Sequence, residues 1–378
     1  MADTSYLTWP FFEDPHRKLS AALHGWCKVN LPVDHSDVDE ACRSLVGKLG
    51  EAGWLRHTAA GDGEKLDVRT LCIIRETIAQ YDGLAEFSFA MQGLGMGAVT
   101  LFGTPEQKRW LDRTRAGKVI AGFAITEPEA GSDAAAVKMT AVKTRGGFTL
   151  DGEKTYISNG GIADVYVVFA RTGEAPGARG LSAFLVPAAS KGLEIAERIH
   201  VMAPHPLALL RFSNVEVPDG AMIGERGEGF KIAMSVLDVF RATVGAAALC
   251  FARCALDEAL ARTKARKIAG APLAELQLVQ GHIADMALDI DAAALLVYRA
   301  AWTKDMGAHR VSREASMAKL HATEAAQRVI DTAVQLHGGD GVRVSSVVER
   351  LYREIRALRI YEGASDVQRL VIARSVLG

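Results

Sequence analysis

Between about residues 121 and 220 the grammar of this 378-residue chain changes. Before that stretch, apolar residues recur at helical spacing: Leu19, Leu23 and Trp26, then Cys42, Leu45, Val46 and Leu49. Within it stand short β-type runs, Val165 to Phe169, Leu181 to Val186 and Leu209 to Phe212. Gly146-Gly147 and Asp151-Gly152 read as turns, and Pro176, Gly177 and Gly180 as an exposed loop. From Gly229 onward alanine-rich helical stretches return, at 242–263, 275–306 and 312–336. Helices, then strands, then helices predict an α+β protein and exclude strand–helix alternation. The expected units are a helical domain over 1–120, a β-domain over 121–225 and a helical domain over 226–378. Local signals agree with this order. Gly61-Asp62-Gly63 reads as a loop, and Thr104-Pro105-Glu106 opens a helix with an N-cap, a proline at N1 and an acid at the positive end of the dipole.

Composition bounds the function. The net charge is −1, from 44 basic and 45 acidic residues, so electrostatics make no case for nucleic acid or an anionic membrane. The five cysteines, Cys27, Cys42, Cys72, Cys250 and Cys254, are odd in number and scattered, which argues against a disulfide framework. Cys250 and Cys254 lie one helical turn apart with no further ligands nearby, and read as core packing. The Met1-Ala2-Asp3-Thr4-Ser5 start carries no secretory signal. The longest apolar stretch, Ala242 to Ala252, is shorter than the roughly 20 residues a bilayer needs. A cytoplasmic protein is the expectation.

Chemistry concentrates near the C-terminus. In Ile360-Tyr361-Glu362-Gly363-Ala364-Ser365-Asp366, a carboxylate interrupts an apolar-periodic stretch. A helix then begins, with Val367, Leu370, Val371 and Arg374 at i, i+3, i+4 and i+7. Ser365 or Asp366 is the expected cap, which leaves Glu362 on a bend from which it can point into a cavity. Earlier, Phe123 to Asp133 reads as a strand running into a loop with hydroxyls and free amides, suited to a polar ring edge or a pantetheine amide. Alone, that loop reads as a solvated turn. Tyr156-Ile157-Ser158-Asn159-Gly160-Gly161, Gly224 to Lys231, Leu237 to Arg241 and Gln335 to Gly341 follow in order.

This ordered set, from about residue 84 to 374, resembles the acyl-CoA dehydrogenases. The resemblance implies a middle β-barrel or sandwich, a C-terminal four-helix bundle, bound FAD and a homotetramer. It implies an acyl-CoA substrate and an electron-transfer flavoprotein as acceptor. By the same resemblance Glu362 is the base that removes the thioester α-proton. A hydride would leave Cβ toward flavin N5, giving a trans-2-enoyl-CoA. Thr126 would bond the flavin pyrimidine edge, Tyr156 would pack on the ring, and Ser158 would lie at N5. Arg266 and Gln277 would reach the adenosine diphosphate, and Gln335, Gly338, Gly339 and Gly341 the FAD of a neighbouring subunit. Ser132 would touch pantetheine. Asp238 and Arg241 would support the substrate site beside Tyr361, Glu362 and Gly363, with Arg241 steadying the bend. Glu362 must have its pKa raised by burial, and its backbone N–H is an implied donor to the enolate oxygen. Some related enzymes carry the base on an earlier helix, where this chain has Phe240.

Blander readings stand beside these. Arg266 reads alone as a solvated helix charge, and Gly338-Gly339 as a helix C-cap. Gly93, Gly95 and Gly97 lack the strand and the acidic residue of a dinucleotide fingerprint, so Met91 to Met96 reads as packed helix. His282, His321 and His337 read as surface or satisfied-core residues. The chain also departs from the family pattern. Ala203-Pro204-His205-Pro206-Leu207 stands where Arg-x-Ser-x-Thr is usual, Ala269-Gly270 where Phe-Gly is common, and Ala364 where Thr is usual. Val342 to Val347 lacks the common Tyr, Glu and Pro. Two alternatives follow: an oxygen-using relative (an oxidase or flavin monooxygenase) and a non-catalytic binding or assembly subunit.

Overall fold

The computed structural model describes residues 3–61 and 63–378. Met1, Ala2 and Asp62, which enter the expectations for the N-terminus and the Gly61–Gly63 loop, lie outside the described residues. Helices α1 (Asp14–Asn30), α2 (Val38–Glu51), α3 (Val68–Ala79), α4 (Gly83–Phe102) and α5 (Pro105–Arg115) come first. Strands β1 (Ala121–Ala124), β2 (Thr140–Lys143), β3 (Gly147–Ser158), β4 (Val165–Arg171), β5 (Leu181–Pro187), β6 (Leu193–Ile199), β7 (Leu207–Pro218) and β8 (Met222–Ile223) follow. Then come α6 (Gly229–Ala265), the short strands β9 (Lys267–Ile268) and β10 (Ala271–Pro272), and helices α7 (Gln277–Asp305), α8 (Ser312–His337), α9 (Val347–Leu358) and α10 (Ser365–Leu377). The α+β order read from the sequence is the observed one.

The chain divides into two compact units. One comprises the described residues of 1–32 with 67–86 and 238–378; the other comprises 33–66 and 87–237. The second unit is built on one mixed sheet in the order β6-β7-β3-β2-β4-β5-β8, with β1 parallel to β4. Phe148, Leu150, Val168, Phe184, Leu210 and Phe212 form its apolar core. Central β4 is a continuous apolar run and is buried on both faces, whereas β6 carries Glu194, Glu197 and Arg198 on an exposed edge. Asp151-Gly152 does not form the expected turn: β3 continues through it as a bulge against β7. Gly152, at φ +142°, lets the strand pass Met139, whose side chain would lie 2.9 Å from an added Cβ. Helix α5 starts as expected: Thr104 Oγ1 accepts from Gln107 N, and Gln107 Oε1 accepts from Thr104 N. The Gly93–Gly97 run is helical within α4, and Gly95 is needed there because a Cβ would stand 2.7 Å from Ala121 Cβ.

In the first unit the alanines of α7 and α8 permit close packing: Ala293, Ala294, Ala301, Ala315, Ala318 and Ala322 are all at most 2% exposed. Some of its buried polar groups are partnered across elements. Asp305, at the end of α7, accepts from the Val68 and Arg69 amides at the start of α3 and from Arg69 Nε at 2.8 Å. Glu76 accepts from Arg253 Nε at 3.0 Å and from the Tyr298 hydroxyl. Helix α6 corrects the reading that no stretch is long enough to cross a bilayer. Its 37 residues include an 18-residue window with mean hydropathy 1.6, but 83% of that window is buried inside the protein. Arginines bracket the apolar run without ending the helix, so α6 is a core helix.

Candidate active site

Glu362 lies between α9 and α10 in a tight left-handed bend. Its φ is +52° and that of Gly363 is +94°. For a residue with a Cβ this conformation is costly, so the surroundings must hold it. They do so through the carbonyls. Glu362 O accepts from Arg241 Nε at 3.3 Å and Gln368 Nε2 at 3.2 Å. Gly363 O accepts from Gln368 Nε2 at 2.9 Å and Lys319 Nζ at 2.8 Å. Gly363 favours glycine because of its φ of +94°, and a Cβ there would also displace the Gln368 amide, 2.4 Å away. The expected cap of α10 does not form. Ala364 is the N-cap residue, and Ser365, one position inside the helix, donates its hydroxyl to Glu324. Asp366 pairs with Arg369 instead.

The carboxylate of Glu362 is held apart. Both its oxygens are shut off from solvent, and neither has a hydrogen-bond partner among the described residues. Burial pushes its pKa above the ordinary carboxylate value; Arg75, Lys319 and Arg241 pull it down, and Glu86 adds to the rise. Around it, Arg75 is fully buried, donates to Thr243 Oγ1 at 2.8 Å and pairs with buried Glu86. Arg241 lies 3.7 Å from Asp238, whose carboxylate accepts from Ser312 Oγ at 2.6 Å. Thus Asp238, Arg241, Tyr361, Glu362 and Gly363 belong to one unit, and the structure brings Arg241 onto the bend. Sequence reasoning missed Arg75, Glu86, Lys319 and Gln368. A signal was present for Lys319, which shares a helical face with Ala315, Ala318 and Ala322.

The second unit holds the other group. Thr126 follows β1 and its carbonyl accepts from Thr155 N at 2.9 Å. Asn159 Nδ2, just past Ser158, donates to Ala121 O at 2.8 Å. These two bonds bring the segment of Thr126 beside that of Tyr156 and Ser158. Tyr156 is 61% exposed at φ +53°, a large aromatic face presented outward in a strained conformation. The loop rests on Glu127, whose carboxylate accepts from the Lys138 and Met139 amides at 2.6 and 2.9 Å and from Lys154 Nζ at 2.8 Å. Lys154 is fully buried, and burial depresses its pKa to about 8. Ser132 is exposed on the same loop.

The residues assigned to the FAD diphosphate lie in the first unit. Arg266 is exposed at the end of α6, and Gln277 is exposed at the start of α7. Gln335 is exposed near the end of α8, where Gly338, at φ +62°, is the C-cap. Nothing would meet a Cβ at Gly338 or Gly339 within 4 Å, so the chain's own packing does not demand glycine there. Gly341 differs: a Cβ would lie 2.3 Å from Val334 O. His337 Nδ1 is satisfied by Ala333 O at 2.7 Å, whereas His321 Nε2 is buried without a partner, against expectation. Burial depresses the His321 pKa, because it disfavours the charged ring.

Comparison with known proteins shows the family. The N-terminal, middle and C-terminal domain models of acyl-CoA dehydrogenase match residues 13–118, 122–215 and 227–377. A 3-(aryl)acrylate reductase of Clostridium sporogenes is 35% identical over 376 residues, covering 97% of this chain and all of the relative. The short-chain specific acyl-CoA dehydrogenase of Bos taurus mitochondria is 38% identical, covering 96% of this chain and 90% of the relative. The structure of butyryl-CoA dehydrogenase from Megasphaera elsdenii superposes with a TM-score of 0.88 at 31% identity, covering 97% of this chain and 99% of that one. A chain that matches all three domain models over most of its length belongs to the acyl-CoA dehydrogenase family of FAD-dependent oxidoreductases.

Proposed function

We propose that this protein removes hydrogen from the α and β carbons of an acyl-CoA thioester, with Glu362 as the base for the α-proton. One observation carries the assignment: the Glu362 carboxylate is buried and has no hydrogen-bond partner among the described residues. An unpartnered buried acceptor is costly and persists where something else is to be met. Burial makes it a stronger base than an exposed glutamate, and the three nearby cations keep its anionic form accessible. The Glu362 N–H has no acceptor among the described residues, which suits it to a thioester oxygen that gains negative charge. Loss of the α-proton to Glu362 leaves an electron pair that forms the double bond as hydride leaves Cβ. FAD, when bound, supplies the acceptor for that hydride.

The residues present fit FAD. Thr126 and Ser158 offer hydroxyls for the polar flavin edges, and Tyr156 offers an exposed ring face. Arg266 forms no side-chain hydrogen bond or ion pair among the described residues, and so is available for a diphosphate. Gly338 and Gly339 leave open space for one to approach backbone. Gln277, Gln335 and Gly341 complete the proposed set, with Ser132 on pantetheine and Asp238, Arg241, Tyr361 and Gly363 supporting the acyl group. A homotetramer and an electron-transfer flavoprotein as acceptor belong to the same proposal.

The test is anaerobic mixing of the yellow holoprotein with a panel of acyl-CoAs. The panel includes short straight chains and 3-arylpropionyl thioesters, because one relative is named for aryl acrylates. Bleaching of the flavin is expected, and Glu362→Gln is expected to slow it by at least ~10²–10⁴-fold. A Gln variant that reduces at the parent rate refutes the base. Rapid peroxide formation without an added acceptor indicates the oxidase alternative, and a colourless protein that takes up no FAD indicates a binding subunit.

A further inference from the structure

Lys319 has an unusual setting. It is 0% exposed, it sits on the alanine face of α8, and among the described residues it forms no ion pair. Its Nζ donates to Gly363 O. Gln368, also 0% exposed, reaches back from α10 with one amide nitrogen to both bend carbonyls. A buried ammonium spent on a peptide carbonyl and a buried amide spanning two carbonyls are costly unless the bend itself must be held. Neither side chain touches the Glu362 carboxylate oxygens, which remain unpartnered.

We infer that Lys319 and Gln368 are positioning residues for Glu362: they lock the left-handed 362–363 bend through its carbonyls, and Lys319 adds a fixed positive charge that favours the ionised carboxylate. This inference rests on the reading of Glu362 as the base. Locking the carbonyls leaves the side chain oriented by its backbone alone, so both carboxylate oxygens stay free for a proton. Hydrogen bonds placed on the carboxylate itself would hold it equally well but would weaken it as a base. The other charged and titratable groups around the bend are Arg75 on α3, Glu86 on α4, Asp238 and Arg241 on α6, Glu324 on α8, and Glu354, Arg359 and Tyr361 at and after α9. Glu324 is neutralised by Arg359, and Glu86 by Arg75. Lys319 is thus the cation near Glu362 without a carboxylate of its own. Its pKa is depressed to about 8 by burial, so it is largely charged at neutral pH.

The experiment reads the ionisation of Glu362 directly. Its carboxyl stretch is followed by infrared difference spectroscopy of the holoprotein across pH and assigned by its absence in Glu362→Gln. In Lys319→Met the Glu362 pKa is expected to rise by about one unit or more, and in Lys319→Arg to stay near the parent value. Should Lys319→Met fail to fold, Lys319→Gln, which keeps a donor and drops the charge, carries the same titration. For Gln368→Met a crystal structure is expected to show the 362–363 bend relaxed out of the left-handed region. In the same variant flavin reduction is expected to slow by about 10²-fold, the scale of a small misplacement, with the acid limb of the pH profile unmoved. An unchanged Glu362 pKa in the charge-deleting variant, or an intact bend in Gln368→Met, overturns the inference. If no acyl-CoA bleaches the parent flavin, the dehydrogenase proposal fails on that ground alone, and the titration and the crystal structure still decide the positioning role.

Discussion

Replacing Lys154 with methionine tests whether the Thr126 loop is held by the buried Lys154–Glu127 pair. At 2.8 Å the gross attraction is about 6 kcal/mol for an effective dielectric near 20. Against it stands the burial of the ammonium. A pKa depressed from 10.5 to about 8 corresponds to roughly 3 kcal/mol. Removing the lysine leaves Glu127 buried with only the Lys138 and Met139 amides, and such a broken pair costs about 3–5 kcal/mol. Lys154→Met should therefore lower urea-unfolding stability at pH 7 by that amount. The double variant Lys154→Met with Glu127→Gln should recover part of it. The pH dependence has a definite sign. A lysine whose folded pKa lies below its unfolded value binds fewer protons folded than unfolded across the window from about 8 to about 10.5. Stability from this group therefore rises with pH there. The difference between parent and variant isolates it from the buried thiols and phenols that titrate nearby. A cost below about 1 kcal/mol at pH 7, or a parent-minus-variant difference flat from pH 8 to 10.5, refutes the reasoning.

Gly363→Ala should cost about 1–3 kcal/mol in denaturant unfolding and abolish flavin bleaching, because a Cβ is strained at φ +94° and would push the Gln368 amide, 2.4 Å away, off the bend carbonyls. Glu86→Gln should destabilise by about 3–5 kcal/mol in the same assay by stranding buried Arg75. In that variant the acid limb of the activity profile should move to lower pH, because Glu86 raises the Glu362 pKa and Arg75 lowers it. Gly339→Ala should leave apoprotein stability unchanged within about 0.5 kcal/mol yet weaken FAD retention on gel filtration, whereas Gly341→Ala should destabilise the apoprotein by about 1–3 kcal/mol.

Local chemistry was legible wherever the deciding contacts are near in sequence. Thr104, Pro105 and Gln107 make a cap within four residues, and the structure shows it. The periodicity of α1 and α2, the alanine-rich stretch of α8 and the β-type runs of β4, β5 and β7 were readable for the same reason. The bend at Glu362 followed from a carboxylate and a glycine between two helical patterns. The misreadings arose where a distant partner intervened. Ser365 turned from its own helix to Glu324, 41 residues away, and Asp151-Gly152 became a bulge because β7 pairs along the whole of β3. The bracketed apolar run of α6 lengthened into a core helix because neighbouring helices bury it.

The sequence by itself therefore determined the α+β order, the family and the identity of the acid-bearing bend, since each depends on periodicity, turn residues and motif spacing along the chain. Only the tertiary structure decided what kind of carboxylate Glu362 is. Its pKa, its orientation and its lack of partners depend on Arg75, Glu86, Arg241, Lys319 and Gln368, drawn from five helices. Burial and electrostatics act through space in a medium of low polarity, so spacing along the chain carries almost no record of them.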